Sequence, residues 1–111
     1  MLENLEAMLA AGQDNALLRF TIGNEHLKQG NGRLAADHLR AAVRQDPEYS
    51  AAWKVLGRAL QSLGDFNEAC HAFEQGIATA ERRGDIQAAR EMRVFLKRAR
   101  KAVSDSDGSQ P

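Results

Sequence analysis

One internal repeat limits what this chain can fold into more than any other feature. Shifting the sequence by 34 positions lays residues 16–49 over 50–83, and the unusual residues coincide. Gly23 falls on Gly57, Gly30 on Gly64, Asn31 on Asp65, Ala35 on Ala69 and Leu39 on Phe73. Ile22 also matches Leu56, Ala42 matches Gly76, and Val43 matches Ile77. A repeat of this length marks a unit that cannot bury its apolar face alone and stacks on its neighbours instead.

The second copy shows what the unit is. Trp53, Leu56, Gly57 and Leu60 recur at i, i+3, i+4 and i+7, one face of a helix. Gly64 breaks that helix, and Asp65 with Glu68 three residues on predicts a capping-box start for another. Phe66, Ala69, Phe73, Gly76 and Ile77 form a second helical stripe facing back at the first. Small residues at Gly57 and Ala69 let the two backbones approach, while Trp53 and Phe73 fill the space beside them. The unit is an αα-hairpin, and the chain is predicted to be all-α.

These residues resemble the tetratricopeptide repeat family. Its motif is a tryptophan-leucine-glycine helix, a glycine-acid turn, and a small-aromatic-small helix closed by proline. The second repeat carries it in Trp53, Leu56, Gly57, Gly64, Asp65, Ala69 and Phe73, and the first in Ile22, Gly23, Gly30, Ala35, Leu39, Ala42 and Pro47. The resemblance implies a right-handed α-solenoid of two hairpins with flanking helices. Four positions depart from the motif. Arg19 stands at the usual tryptophan, His26 near the usual tyrosine and Gly76 at the usual alanine, and no proline closes the second repeat. Phe20 is expected to turn inward in place of the missing tryptophan. Without a closing proline, the second repeat's last helix should run to about Arg83.

The remaining elements follow in order. Residues 1–14 are read as a short helix, Met1 to about Ala11, and a loop, with Leu2, Leu5, Met8 and Leu9 on its apolar side. So short a helix holds in water only if it docks, either as a fixed cap or as a displaceable latch. Asn15 is placed as the N-cap of the first repeat, 16–49, and the second repeat covers 50–83. Asp85 caps a last helix over 85–103, whose inner face is Ile86, Ala89, Met92, Leu96, Ala99 and Val103, with Phe95 alongside. Residues 1–103 thus form one domain, and the apolar-free stretch 104–111 reads as a disordered tail.

Composition enters where it excludes function. The net charge is zero, so no global field marks a nucleic-acid or membrane-surface protein. The sum conceals an asymmetry, because residues 82–103 carry 8 basic and 2 acidic side chains. Arg90, Arg93, Lys97, Arg100 and Lys101 make one basic side of the last helix, but no aromatic residues are interleaved for stacking on bases. The single cysteine, Cys70, excludes an internal disulfide framework and fits a reducing compartment. No basic lead opens the chain and no apolar run approaches a bilayer span, so the cytoplasm is expected.

No catalytic constellation is visible, and the chain is not expected to be an enzyme. Cys70 and His71 are adjacent, which on a helix turns them about 100° apart and makes poor shared metal ligation. His26 lies on a packed face, whereas His38 and His71 are expected to be solvated on outer helices. No metal or cofactor is predicted.

The resemblance implies a concave surface lined by the first helix of each hairpin. There the first repeat offers Leu17, Phe20, Asn24, Leu27 and Lys28, and the second offers Lys54, Arg58 and Gln61. An asparagine supplies both donor and acceptor to a peptide backbone, and Lys54 and Arg58 select for carboxylate. Some family members clamp a C-terminal carboxylate with a lysine and an asparagine one turn apart. Here Asn24 matches but Phe20 stands where that lysine would be, so the clamp is not carried over. The alternative for these positions is that they are merely solvated, with Phe20 and Leu17 covered by the N-terminal helix. The resemblance is to small bacterial stand-alone members and implies a scaffold with no defined partner. The groove residues suit an extended peptide with acidic and apolar side chains, so an adaptor binding a segment of a partner protein is expected. Nucleic-acid association through the last helix, and self-association into a homodimer through an uncovered repeat end, are the other readings.

Overall fold

The computed structural model describes residues 1–106 and contains, among them, six helices and no strand. They are α1 (Leu2–Ala10), α2 (Ala16–Lys28), α3 (Gly32–Gln45), α4 (Ser50–Ser62), α5 (Phe66–Arg82) and α6 (Ile86–Ser106). Each packs on the next: α2 with α3 and α4 with α5 are the two hairpins, α3 joins them through α4, and α6 covers α5. α4 also touches both α2 and α6, so those three helices line one side of an elongated stack. α6 runs three residues past the expected Val103. Of the stretch read as a disordered tail, residues 107–111 lie outside the described residues.

Local chemistry sets the helix boundaries. The Asn15 side chain accepts from the Leu18 amide at 2.9 Å, and the Asp85 carboxylate accepts from the Ala88 amide at 3.1 Å. Both hairpin turns close on a glycine at positive φ, +82° at Gly30 and +79° at Gly64, where a side chain would be strained. The capping box expected at Asp65 and Glu68 does not form, since Asp65 makes no side-chain cap bond. Glu68 instead takes both its oxygens to Arg40, each at 2.9 Å, and ties α5 to α3. A two-pronged charged pair outweighs a neutral cap contact. α5 meets no proline and reaches Arg82, 17 residues or about 26 Å at about 1.5 Å per residue.

The core is assembled from the repeat positions. Ile22, Leu39, Leu60, Phe73 and Met92 are fully buried, and all but Ile22 lie in one continuous cluster running from α3 to α6. A Cβ added at Gly57 would stand 2.5 Å from the Phe73 ring, so the glycine is what lets α4 lie against α5. Gly76 has the same role toward α6. A Cβ there would run into the Met92 thioether, which accounts for the glycine standing where the family favours alanine.

Trp53 departs from its expected place. It lies at the rim, half-buried, with its indole N–H donating to the Pro47 carbonyl at 2.8 Å and His71 edge-on at 6.4 Å. Phe73 fills the centre of the junction, and Trp53 packs against the cluster from its edge, where the indole N–H meets the Pro47 carbonyl. Trp53→Ala should therefore cost about 2 kcal/mol, below the about 3–5 kcal/mol of a fully buried aromatic. The denaturant midpoint measures the loss, and an emission maximum between those of buried and solvated tryptophan reports the rim position.

Phe20 turns inward as expected, packing on the core with its ring 5.0 Å from that of Tyr49. Arg19, at the vacated tryptophan position, is held by two hydrogen bonds from its guanidinium to Asp14, at 2.8 and 2.9 Å. α1 docks on α2 without burying any residue fully, and Leu2, Leu5 and Leu9 are half-covered. It does not cover Leu17, which is 65% exposed. The expectation of a solvated His38 is corrected. Its ring lies parallel to that of buried His26 at 5.6 Å, with Nδ1 3.1 Å from the Arg19 guanidinium. Burial, and then the neighbouring Arg19 charge, hold His38 below the ordinary imidazole range. The residue is half-covered because α3 turns that face toward α2.

Candidate functional site: the groove between α4 and α6

Lys54 and Arg58 sit one turn apart on α4, outside the stripe that Leu56, Gly57 and Leu60 commit to the core. They face α6. Between the two helices runs an open groove of about 410 Å³, lined by Lys54, Arg58, Glu91, Val94, Phe95 and Arg98. Its floor is Phe95, half-buried and stacked on Phe73 with ring centroids 5.6 Å apart. The Arg58 guanidinium lies 5.3 Å from the centre of the Phe95 ring and that of Arg98 lies 5.9 Å from it. Val94 adds an apolar side chain that is 52% exposed.

The charges are weakly committed. Lys54 pairs with Glu91 at 3.2 Å, but its side chain is 30% exposed and that of Glu91 46%. A pair this wet is worth about 0–1 kcal/mol. An exposed cation–π contact contributes about 0.5–1 kcal/mol. Three cations against one carboxylate, on an aromatic floor, therefore form a surface that can exchange its internal partners for an anion at little cost.

The first repeat's candidates fall elsewhere. Phe20 and Leu27 pack against the core, Asn24 is half-buried on α2, and Lys28 is exposed near the end of that helix. Leu17 borders a separate cleft of about 330 Å³ at the starts of α2 and α4, with Tyr49, Ser50 and Arg83. Gln61 is half-buried one turn beyond Arg58. The structure thus brings Lys54 and Arg58 into one groove with α6 and does not bring Leu17, Phe20 or Leu27 there. Sequence reasoning missed Glu91, Val94, Phe95 and Arg98. The available signal was Phe95 lying beside, rather than on, the apolar stripe, with Val94 and Arg98 at i and i+4.

The basic side of α6 is less free than its composition implies. Arg93 is bonded to Glu81, Arg100 to Glu74 at 3.1 Å, and Lys101 to Asp105 at 3.1 Å. α5 and α6 themselves supply the acids. Cys70 is half-buried, and burial pushes its thiol up, away from the reactive thiolate form. Among the described residues, no helix is long and apolar enough to cross a membrane.

Comparison with known proteins agrees with the repeat architecture. A tetratricopeptide repeat family model matches residues 20–86. A Pseudomonas aeruginosa protein, TPR repeat-containing protein PA0015, is 54% identical over 102 residues, which cover 92% of this chain and 97% of that one. The solution structure of protein BPP2914 from Bordetella parapertussis is 45% identical, with a TM-score of 0.80 over 99% of this chain and 96% of that one. A tetratricopeptide repeat domain protein from Salinibacter ruber is 25% identical, with a TM-score of 0.72 over 79% of this chain and 98% of that one.

Proposed function

The chain belongs to the tetratricopeptide repeat family, whose repeats generally mediate protein–protein interaction, and on that premise we propose that it is a non-enzymatic adaptor that holds an extended segment of a partner protein in the groove between α4 and α6. The observation that carries this reading is the Phe95 floor flanked by Arg58 and Arg98, with Lys54 one turn away. An apolar side chain of the segment would rest on Phe95 and Val94. A carboxylate beside it would draw Arg58 or Arg98 off the ring and into a charged hydrogen bond. The segment's backbone continues along α4 toward Gln61 and, through the α2–α4 contact, toward Asn24 and Lys28. The adaptor works in the cytoplasm, where its free Cys70 stays reduced.

The test is a display selection for peptides that bind the full chain, repeated against R58E/R98E. Selected peptides should pair an Asp or Glu with a large apolar residue, and should lose the double variant. Peptides without that signature, or equal binding to both proteins, would remove the groove from the account.

Nucleic-acid association through α6 is not favoured, because the Arg93 and Arg100 charges are already met by Glu81 and Glu74. Binding to generic RNA and DNA is expected to stay weak even at low salt, and R93E/R100E should leave peptide capture unchanged. Tight, steeply salt-dependent binding in a filter assay would reverse that order.

A further inference from the structure

Three side chains far apart in sequence, on three different helices, converge where α1 meets the first hairpin. His26 of α2 is almost completely buried, 4% exposed, and its Nε2 lies 3.3 Å from Oε2 of Glu6 on α1. Its other ring nitrogen, Nδ1, is buried with no hydrogen-bond partner. His38 of α3 lies parallel to it, ring centroids 5.6 Å apart, and one ligand atom from each of Glu6, His26 and His38 falls within 4.8 Å of the other two. We propose that Glu6, His26 and His38 form a binding site for a divalent transition-metal ion of the zinc type, which fastens α1 to the first repeat.

The chemistry of the set fits such an ion. Two imidazoles and one carboxylate suit zinc and its first-row neighbours rather than calcium or magnesium. Bonds of about 2.0–2.2 Å in a tetrahedron place ligand atoms about 3.4 Å apart. The Glu6–His26 pair already has that spacing, although 3.3 Å is long for a charged hydrogen bond. His38 has to close in by up to about 1.4 Å, from a spread within 4.8 Å to the tetrahedral spacing, and as a half-covered residue it has room to do so. Three protein ligands leave the fourth position to water or to a donor on a partner.

One neighbour opposes the ion. Nη1 of Arg19 lies 3.1 Å from Nδ1 of His38, and the guanidinium is anchored through its Nε and Nη2 to Asp14. Metal binding must release His38 from this contact, so Arg19 competes with the ion for the imidazole. The site also explains why α1, which buries no residue fully, is tied to the stack through a histidine–carboxylate contact. Sequence reading missed it because residues 6, 26 and 38 show no ligand spacing, and only the packing of α1, α2 and α3 brings them together.

The test is calorimetric titration of zinc chloride into the metal-free full chain, with cobalt(II) absorption as a second readout. One zinc per chain is expected, together with a rise in melting temperature. E6Q and H38Q should each weaken binding by about tenfold or more, and R19Q should tighten it. E6Q changes an exposed residue on a peripheral helix, so it reads out binding even if substitution of a histidine disturbs folding. Absence of stoichiometric zinc binding would overturn the site, as would binding that E6Q leaves intact, for example through Cys70. If H38Q binds zinc as tightly as the parent chain, His38 is not a ligand and the proposal fails.

Discussion

Phe73→Ala is expected to destabilise the fold by about 3–5 kcal/mol, the cost of removing a fully buried aromatic from a core that cannot collapse around the cavity. Phe73 touches the structure from two sides. Its ring closes the α4–α5 junction against Gly57 and stacks on Phe95 of α6. Against a total stability of about 5–15 kcal/mol, such a loss leaves little margin, and urea unfolding followed by circular dichroism measures it. Gly57→Ala attacks the same contact from the other side, because its Cβ would lie 2.5 Å from the Phe73 ring. Overpacking of this kind costs about 1–3 kcal/mol. Adding Phe73→Leu to Gly57→Ala should return part of that loss, since the smaller side chain makes room. A strictly additive double mutant would show that the two residues do not share the junction.

The second large effect concerns binding. K54E/R58E should reduce affinity for a selected peptide by about tenfold or more, because a charged hydrogen bond contributes about 1.5–3 kcal/mol and the two new carboxylates repel the acid of the peptide. The fold should hardly notice. Arg58 gives up an exposed cation–π contact and Lys54 a surface pair with Glu91, together no more than about 2 kcal/mol. Circular dichroism at 222 nm and the melting curve separate the two consequences. Lost affinity with retained helicity assigns the effect to the groove, and collapse of the spectrum would assign it to folding.

The hairpins were legible in the sequence because their signals are local and occur twice. Gly30 and Gly64 mark turns, Asn15 and Asp85 mark helix starts, and Gly57 opposite Phe73 announces a close helix pair. Phe20 substituting for the tryptophan missing at Arg19 was legible for the same reason, since the vacant position and its replacement are adjacent. Trp53 was misplaced because periodicity assigns a face and says nothing of depth. Whether a ring reaches the centre or stops at the rim depended on the Pro47 carbonyl that holds its indole. The capping box at Asp65 and Glu68 failed because Arg40, a competitor 28 residues away from Glu68, lies on another helix.

The groove was half legible. Lys54 and Arg58 stand out because they leave the core stripe of α4. Their counterparts on α6 do not, since Val94, Phe95 and Arg98 gain meaning only from how α6 docks. That docking rests on Met92 fitting against Gly76, a contact between two residues with no motif in common. First-repeat candidates such as Phe20 and Leu27 match groove positions only by analogy, and in the structure they pack, partly buried, against the core.

The most direct measurement of the central claim is a two-dimensional amide NMR titration of the full chain with a selected acidic–apolar peptide. Shift changes are expected to concentrate on α4 at Lys54 and Arg58 and on α6 at Glu91, Val94, Phe95 and Arg98, and to vanish in R58E/R98E. Shift changes confined to Arg93, Lys97, Arg100 and Lys101 on the other side of α6, to α1, or spread evenly over the chain would contradict the groove as the binding site.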